Sequence, residues 1–280
     1  MSFLITGATG TIGSQIVHQL IYQGATVRAI SRNPEKVNLP SSIEVFAGDL
    51  TSKEFHPKTF DGVKSIFLFP VEGEIKSFLA EAKANDVEHI VVLSSLAAAA
   101  EFPRDINSAS YLHHIAVEKA VKETGIDFTI LRPGTFANNL RGWSHSIKTS
   151  KMVFGPYPNS AQALIHEADV AAVAVTVLTT EGHKGATYPL TGPEAITQVE
   201  QLKTIGDAIG QELTYQKITP EQFKQSMGQF MPAEIIKMLL DYWSDTVEKP
   251  DVVRNTVEQI TGQPARTLAQ WAADHASDFR

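Results

Sequence analysis

The sequence predicts an α/β protein: a doubly wound parallel sheet followed by a smaller, mainly helical C-terminal region that covers a substrate. Three observations carry that expectation. Short apolar runs alternate with helical patterns through the first half of the chain. A glycine-rich turn, Gly7-Ala8-Thr9-Gly10-Thr11-Ile12-Gly13, joins the first apolar run to the first helical pattern. At 280 residues, 43% of them hydrophobic, the chain is long enough to bury a sheet between two helical layers.

Residues 2–6 read as the first strand, and Ile12, Ile16, Val17, Leu20 and Ile21 then repeat at helical spacing. Gly24 stops that helix, and residues 25–31 form the second strand. The third and fourth strands fall at 43–47 and 65–69, the fourth ended by Pro70. A helix over about 74–85 leads into the run IVVLS at 90–94, a buried fifth strand. A helix over about 110–124 is closed by Gly125, and 128–132, closed by Pro133, supplies a sixth. Six strands with intervening helices is the count of a doubly wound nucleotide-binding fold.

Beyond this the pattern loosens. Residues 168–178 form a helix of small apolar residues, 187–190 and 213–218 read as short strands, and 199–209, 221–228 and 233–243 as helices. Residues 252–276 hold a short helix, a Gly262-Gln263-Pro264 turn and a terminal helix. The expected division is a dinucleotide-binding domain over 1–155 and a smaller region over 156–280. That region is partly interleaved with the first domain and forms the other wall of a cleft.

Composition removes several classes of function. Cysteine is absent, which excludes disulfides, thiolate metal sites and a cysteine nucleophile. A net charge of −7 disfavours a phosphate backbone as partner. No apolar run is long enough to span a bilayer, and Phe3-Leu4-Ile5 runs directly into glycines, so a cytoplasmic protein is expected. His166-Glu167 with Asp169 precedes a helix and reads as a charge cap at its N-terminus, leaving no metal site. No G-x-S-x-G elbow supports a hydrolase.

The glycine turn carries the first functional reading. Gly7, Gly10 and Gly13 meet the needs of a tight turn, of close backbone approach to a pyrophosphate, and of close helix–strand packing. Thr9, Thr11 and Ile12 lie among them, so their backbone N–H groups face the anion at the positive end of the helix. The end of the second strand then separates the two pyridine nucleotides. An acidic residue there would bind a ribose 2′-hydroxyl, but the chain has Ser31-Arg32-Asn33-Pro34-Glu35-Lys36. Arg32 suits a 2′-phosphate, with Ser31, Asn33 and Lys36 in support, so NADP(H) is favoured over NAD(H). Asp49 and Leu50 follow the third strand. Asp49 is a candidate acceptor for the adenine amine or a cap for a helix starting near Thr51, and Leu50 is a candidate to pack on the ring. Phe69 and Pro70 end the fourth strand at the same edge and are candidates to wall the cofactor.

Together, GATGTIG, SRNPEK, GDL, VVLSS, HIAVEK, FTILRPGTFANN, HEADVAAVAV and YPLTGPEAIT resemble the NmrA-like, atypical short-chain dehydrogenase/reductase family over residues up to about 200. The resemblance implies an NAD(P)-binding Rossmann domain with a small variable C-terminal domain closing over a cleft. The branch spans quinone and flavonoid-pathway reductases and redox-sensing regulators. Dehydrogenases of the wider family use a Tyr-x-x-x-Lys pair with a nearby serine. Aligning the family's following glutamate with Glu118 puts His114 in the lysine position and Ser110 in the tyrosine position, with Tyr111 one place off. The usual pair is therefore missing.

His114 is the candidate to bind a ribose hydroxyl or to donate a proton, against a structural histidine bonded to a backbone carbonyl. His113 is expected to project to the surface. Ser94 and Ser95 end the fifth strand at the ligand edge, and Ser95 is the candidate to polarise a carbonyl. After the sixth strand, Pro133 and Gly134 allow close approach of a nicotinamide, with Thr135 or Phe136 beside it. Asn138 and Asn139 offer amides to the cleft, and Trp143, Met152, Phe154 and Tyr157 are expected on the substrate side.

A general acid contributes ~100-fold or more to ketone reduction, so its absence favours an already electrophilic acceptor such as a quinone. The expected function is an NAD(P)H-dependent oxidoreductase acting on a small-molecule acceptor. The alternative is a non-catalytic regulator that senses the NADP+/NADPH ratio and has a protein partner. Nucleotide-sugar epimerisation lacks the tyrosine it depends on.

Overall fold

The apolar runs become strands of one parallel sheet in the computed structural model, which describes residues 2–71 and 73–280. The first part of the chain follows the expected alternation: β1 (Ser2–Ile5), α1 (Thr11–Tyr22), β2 (Thr26–Ser31), β3 (Glu44–Ala47), β4 (Val63–Leu68), α2 (Lys76–Ala84), β5 (His89–Leu93), α3 (Ala109–Glu123) and β6 (Asp127–Pro133). Next come α4 (Ser144–Ser150), β7 (Met152–Gly155), β8 (Ala161–Gln162), α5 (Glu167–Thr179), β9 (Thr187–Leu190), β10 (Ile196–Thr197) and α6 (Gln198–Ile209). The chain ends with β11 (Thr214–Lys217), α7 (Pro220–Met227), α8 (Ala233–Glu248), α9 (Thr256–Thr261) and α10 (Leu268–Asp274).

The strand order is β3-β2-β1-β4-β5-β6-β9, parallel throughout. The order reverses between β1 and β4, and a ligand of an open parallel sheet lies at the carboxyl edge of such a switch point. The period-two pattern of strand side chains divides the core. Phe3, Ile5, Val27, Ala29, Val91, Leu93 and Leu131 face α1 and α5, whereas Leu4, Ile30, Ile66, Leu68, Val92 and Ile130 face α2 and α3. The small residues of α5 serve this packing, because Val170, Ala171, Val173, Ala174 and Val177 are all fully buried.

Four features depart from the sequence reading. The sheet has seven strands, β9 pairing with β6 through Ile130–Thr187 to Pro133–Leu190. No helix starts near Thr51. Pro57 disfavours helical geometry at the residue before it, and Asp49 Oδ1 instead accepts from the backbone N–H and hydroxyl of Thr51 at 2.9 and 2.7 Å. The short elements α4 and β7 precede a two-stranded side sheet in which β7 pairs with β11. Finally, Glu167 and Asp169 do sit in the first turn of α5, but they are buried and tie down the C-terminus. Glu167 accepts from Trp271 Nε1 at 3.1 Å and from His275 Nε2 at 2.6 Å, and Asp169 accepts from the backbone N–H of Arg266 at 2.7 Å. Trp271 and Phe279 thereby complete a third apolar cluster with Leu140, Ile147, Leu202 and Ile205.

Candidate active site

At the carboxyl end of β1 the chain turns through Gly7, whose φ of +63° is left-handed and suits glycine. A Cβ on Gly13 would overlap the Gly7 carbonyl oxygen, so only glycine lets α1 start this close to the turn. Gly10 is the extended N-cap of α1, with no side chain capping it and no acidic residue in the first turn. The helix therefore presents uncapped N–H groups to an anion. Thr9 and Thr11 are exposed at this end, whereas the Ile12 side chain is buried in the core and leaves only its backbone to the site. Thr6 ties the end of β1 to the end of β4 at the switch point. Its hydroxyl donates to the Phe67 carbonyl at 3.1 Å and accepts from Phe69 N–H at 2.7 Å. The Phe69 ring is 39% exposed and lies against Gly7, with half-buried Pro70 behind it.

Beside the turn is a cavity of about 340 Å³ that brings Ser31, Arg32, Lys36, Asp49 and Leu50 together. Arg32 and Lys36 are exposed and have no ion-pair partner among the described residues. Arg28, two turns of the pleat earlier, is instead engaged by Glu44 at 2.9 Å. Ser31 Oγ accepts from Asn33 N–H at 3.1 Å and keeps its own proton to donate. Hydrogen bonds from the Thr51 backbone and hydroxyl hold the Asp49 carboxyl below its ordinary pKa, so it remains an ionised acceptor. Leu50 is buried beneath the cavity wall.

A second cavity, of about 400 Å³, opens at the carboxyl ends of β5, β6 and β9. Ser94, Ser95, His114, Pro133, Gly134, Thr135 and Phe136 all line it. Ser94 is not free: it donates to Glu118 Oε1 at 2.6 Å. Glu118 is fully buried and also receives Arg132 Nε at 2.8 Å and Nη2 at 2.7 Å. Burial raises its pKa, but the bonds from Arg132 and Ser94 outweigh burial and leave it below the ordinary value.

The bonds around His114 fix its tautomer. A backbone carbonyl can only accept, so Nδ1–H donates to the Ser110 carbonyl at 2.8 Å. Nε2 is then an unprotonated acceptor, and it has no partner among the described residues. Burial lowers the pKa of His114, so this neutral form prevails at neutral pH. With Nδ1 already carrying a proton, the Ser110 hydroxyl donates instead to Ser95 Oγ at 3.2 Å. Ser95 also accepts from Ala97 N–H at 3.3 Å, which leaves its own hydroxyl proton available to the cavity. His113 is half-buried rather than on the surface, its ring edge-on to His114 with centroids 4.9 Å apart.

The opposite wall is only partly the one expected. Trp143 and Asn139 line the cavity, whereas Met152, Phe154 and Tyr157 do not. Met152 and Phe154 lie in β7, where Phe154 is 49% exposed, and Tyr157 packs against the Phe223, Ile236 and Leu240 cluster. Their places are taken by Phe102, Arg104, Met238 and Tyr242. Tyr242 accepts from the Thr135 hydroxyl at 3.0 Å and donates to Asp251. Burial and the adjacent Asp251 push the Tyr242 hydroxyl well above its ordinary pKa, so it stays protonated. Arg104 is paired with Asp245, lies 3.7 Å from Asp251, and stacks over Phe102 at 4.1 Å. The sequence gives little signal for this wall, since Thr135 and Tyr242 are 107 positions apart.

Comparison with known proteins agrees with this geometry. The model of a family described as NAD(P)H-binding matches residues 7–181. The chain is 32% identical to a (4-alkanoyl-5-oxo-2,5-dihydrofuran-3-yl)methyl phosphate reductase of Streptomyces griseus, over 99% of this chain and 98% of the relative. It is also 32% identical to an NAD(P)H azoreductase of Xenophilus azovorans, with the same coverage of both chains. The crystal structure of an Escherichia coli NADPH-dependent quinone oxidoreductase complexed with NADPH superposes with a TM-score of 0.81 at 25% identity, covering 97% of this chain and 99% of that one. Matched by the family model across more than half its length, the chain belongs to the NAD(P)H-binding family.

Proposed function

We propose that the protein is an NADPH-dependent oxidoreductase of the NmrA-like branch that passes hydride to an activated, conjugated acceptor such as a quinone. The observation that carries this reading is the unpaired Arg32 beside a glycine cradle, at one end of a sheet edge whose other end opens into an apolar-walled cavity lacking a Tyr-x-x-x-Lys pair. The cradle fits the cofactor's diphosphate, because the first N–H groups of α1 are uncapped and Gly13 lets the helix start close to the turn. When bound, NADPH supplies the hydride.

The chain's own residues bind and orient. Arg32, Lys36 and Ser31 face the 2′-phosphate, Asp49 and Leu50 the adenine, and the N-terminus of α1 the diphosphate. Gly134 and Pro133, with Phe136, leave room for the nicotinamide, and Phe69 and Pro70 wall it. His114, an acceptor through Nε2, suits a ribose hydroxyl better than proton donation. Ser95 offers a neutral O–H to the oxygen that gains charge as hydride arrives. A serine hydroxyl stabilises that charge without neutralising it, so the acceptor must tolerate the charge itself. Quinones and other conjugated electrophiles do, and simple ketones do not. Residues 1–155 serve as the cofactor side in this scheme and 156–280 as the cover.

The protein belongs, in this scheme, among enzymes acting on diffusible small molecules. No helix among the described residues is long and apolar enough to cross a membrane. Acceptor-dependent oxidation of NADPH across matched quinones and simple ketones tests the proposal. Turnover with quinones and none with ketones is expected, and a panel in which no quinone is reduced overturns it.

A further inference from the structure

The second cavity has a polar patch that the hydride-transfer reading does not use. Gln198 and Gln201, on the first turns of α6, and Gln162, on β8, line it while being only 4%, 1% and 2% exposed. Buried amides of this kind are hydrogen-bonded, and their partners fix which way each one points.

Gln201 Nε2 lies 2.9 Å from the Ile196 carbonyl and 2.6 Å from Gln162 Oε1. Since the carbonyl can only accept, the nitrogen must face it. Gln162 is thereby oriented with Oε1 accepting and Nε2 donating to Ser160. The chain continues through the Thr246 hydroxyl, which donates to the Tyr242 carbonyl at 2.8 Å. Tyr215 donates to Gln198 Oε1 at 2.6 Å and has no other acceptor among the described residues, which turns Gln198 Nε2 away from it. Gly155 makes that contact possible, because a Cβ there would overlap the Tyr215 hydroxyl.

Two groups are left over. Among the described residues, Gln198 Nε2 and Gln201 Oε1 have no hydrogen-bond partner, and both residues line the cavity. They stand three positions apart on one helix, so their side chains leave the same face. The patch thus offers one donor and one acceptor, both neutral. Among the described residues no free cation accompanies them, since Arg104 is held by Asp245 and Arg254 by Glu101. A hydroxyl group answers both at once, receiving from Gln198 and donating to Gln201.

We propose that Gln198 and Gln201 form a specificity subsite for a hydroxyl on the acceptor molecule, so that the preferred substrate is a hydroxylated quinone or a similar neutral conjugated electrophile. The proposal rests on the cavity being the acceptor site of the reductase. A ligand that lacks the hydroxyl leaves the two amides desolvated and unpaired, which is where the discrimination originates.

The experiment compares naphthoquinones carrying a hydroxymethyl, a methoxymethyl or an ethyl substituent, three side groups that barely alter the ring's electrophilicity. With saturating NADPH, the wild-type kcat/KM for the hydroxymethyl compound should exceed those for the other two by roughly tenfold or more. Gln198→Met and Gln201→Met should each bring that ratio close to unity. The ratio is read within one preparation, so partial unfolding of a variant does not distort it, and titration with NADPH reports the folded fraction. Equal rates on all three compounds in the wild type, or a preference that survives both substitutions, overturns the subsite while leaving the reductase reading intact. If none of the three is reduced, the reductase reading fails and the subsite with it.

Discussion

Replacing Arg32 with alanine removes the one side chain assigned to choosing between the two pyridine nucleotides. Arg32 is exposed and makes no ion pair or side-chain hydrogen bond among the described residues, so its loss breaks nothing in the free protein. The variant should accordingly melt within about 0.5 kcal/mol of the wild type, as surface substitutions do. The effect appears on binding. A hydrogen bond to a charged group is worth about 2 kcal/mol, which corresponds to an affinity loss of about 30-fold for NADPH. Lys36 and Ser31 share the cavity and keep the loss from being total. NADH has no phosphate at this position and should bind the variant as it binds the wild type. Calorimetric titration with both nucleotides at one fixed ionic strength measures the ratio, because exposed charges are screened by salt. If NADH binding falls by the same factor as NADPH binding, Arg32 is not reading the phosphate and the reasoning fails.

Three further outcomes follow from geometry elsewhere. Gly13→Ala should abolish binding of both nucleotides, measured in the same titration, because the added carbon meets the Gly7 carbonyl and forces α1 away from the turn. Glu118→Gln leaves the half-buried Arg132 guanidinium opposite a neutral amide and should cost about 2–3 kcal/mol in denaturant unfolding, less than a fully buried pair because water reaches Arg132. His89 is buried, donates to Thr129 at 2.9 Å, and has its pKa lowered from 6.5 to about 4 by burial and then by Lys184. The unfolded chain takes up this proton at a pH where the folded one refuses it. Stability should therefore fall as the pH drops from 6.5 towards about 4, by up to about 3 kcal/mol, and His89→Gln should flatten that part of the profile.

The parallel sheet and the cradle were legible because each rests on local rules. Period-two and helical patterns mark strands and helices within a few residues, while Gly7 declares a left-handed turn and Gly13 a close approach that a Cβ would block. Arg32 was legible for the same reason, since strand and loop fix its place with respect to the turn. Features made by contacts between distant segments were not. The seventh strand is recognisable as a strand at 187–190, but its pairing with β6 is set by the path of α5 over the sheet. Apolar side chains at 152, 154 and 157 look as suitable for a substrate wall as Phe102 or Tyr242. Only the pairing of β7 with β11, and the packing of Tyr157 on the Phe223, Ile236 and Leu240 cluster, show that they are used elsewhere. The turn at Asp49 shows a local rule with two outcomes: the same carboxylate caps a helix or closes a turn, and here it closes a turn.

The claim that NADPH bound at this sheet edge reduces an activated acceptor is tested most directly by an anaerobic reaction of the protein with NADPH deuterated at the transferring carbon and a quinone. The account predicts that the reduced-nicotinamide absorbance falls one-for-one with hydroquinone formation, and more slowly for deuteride than for hydride. Tight NADPH binding with no loss of that absorbance when quinone is added would contradict it.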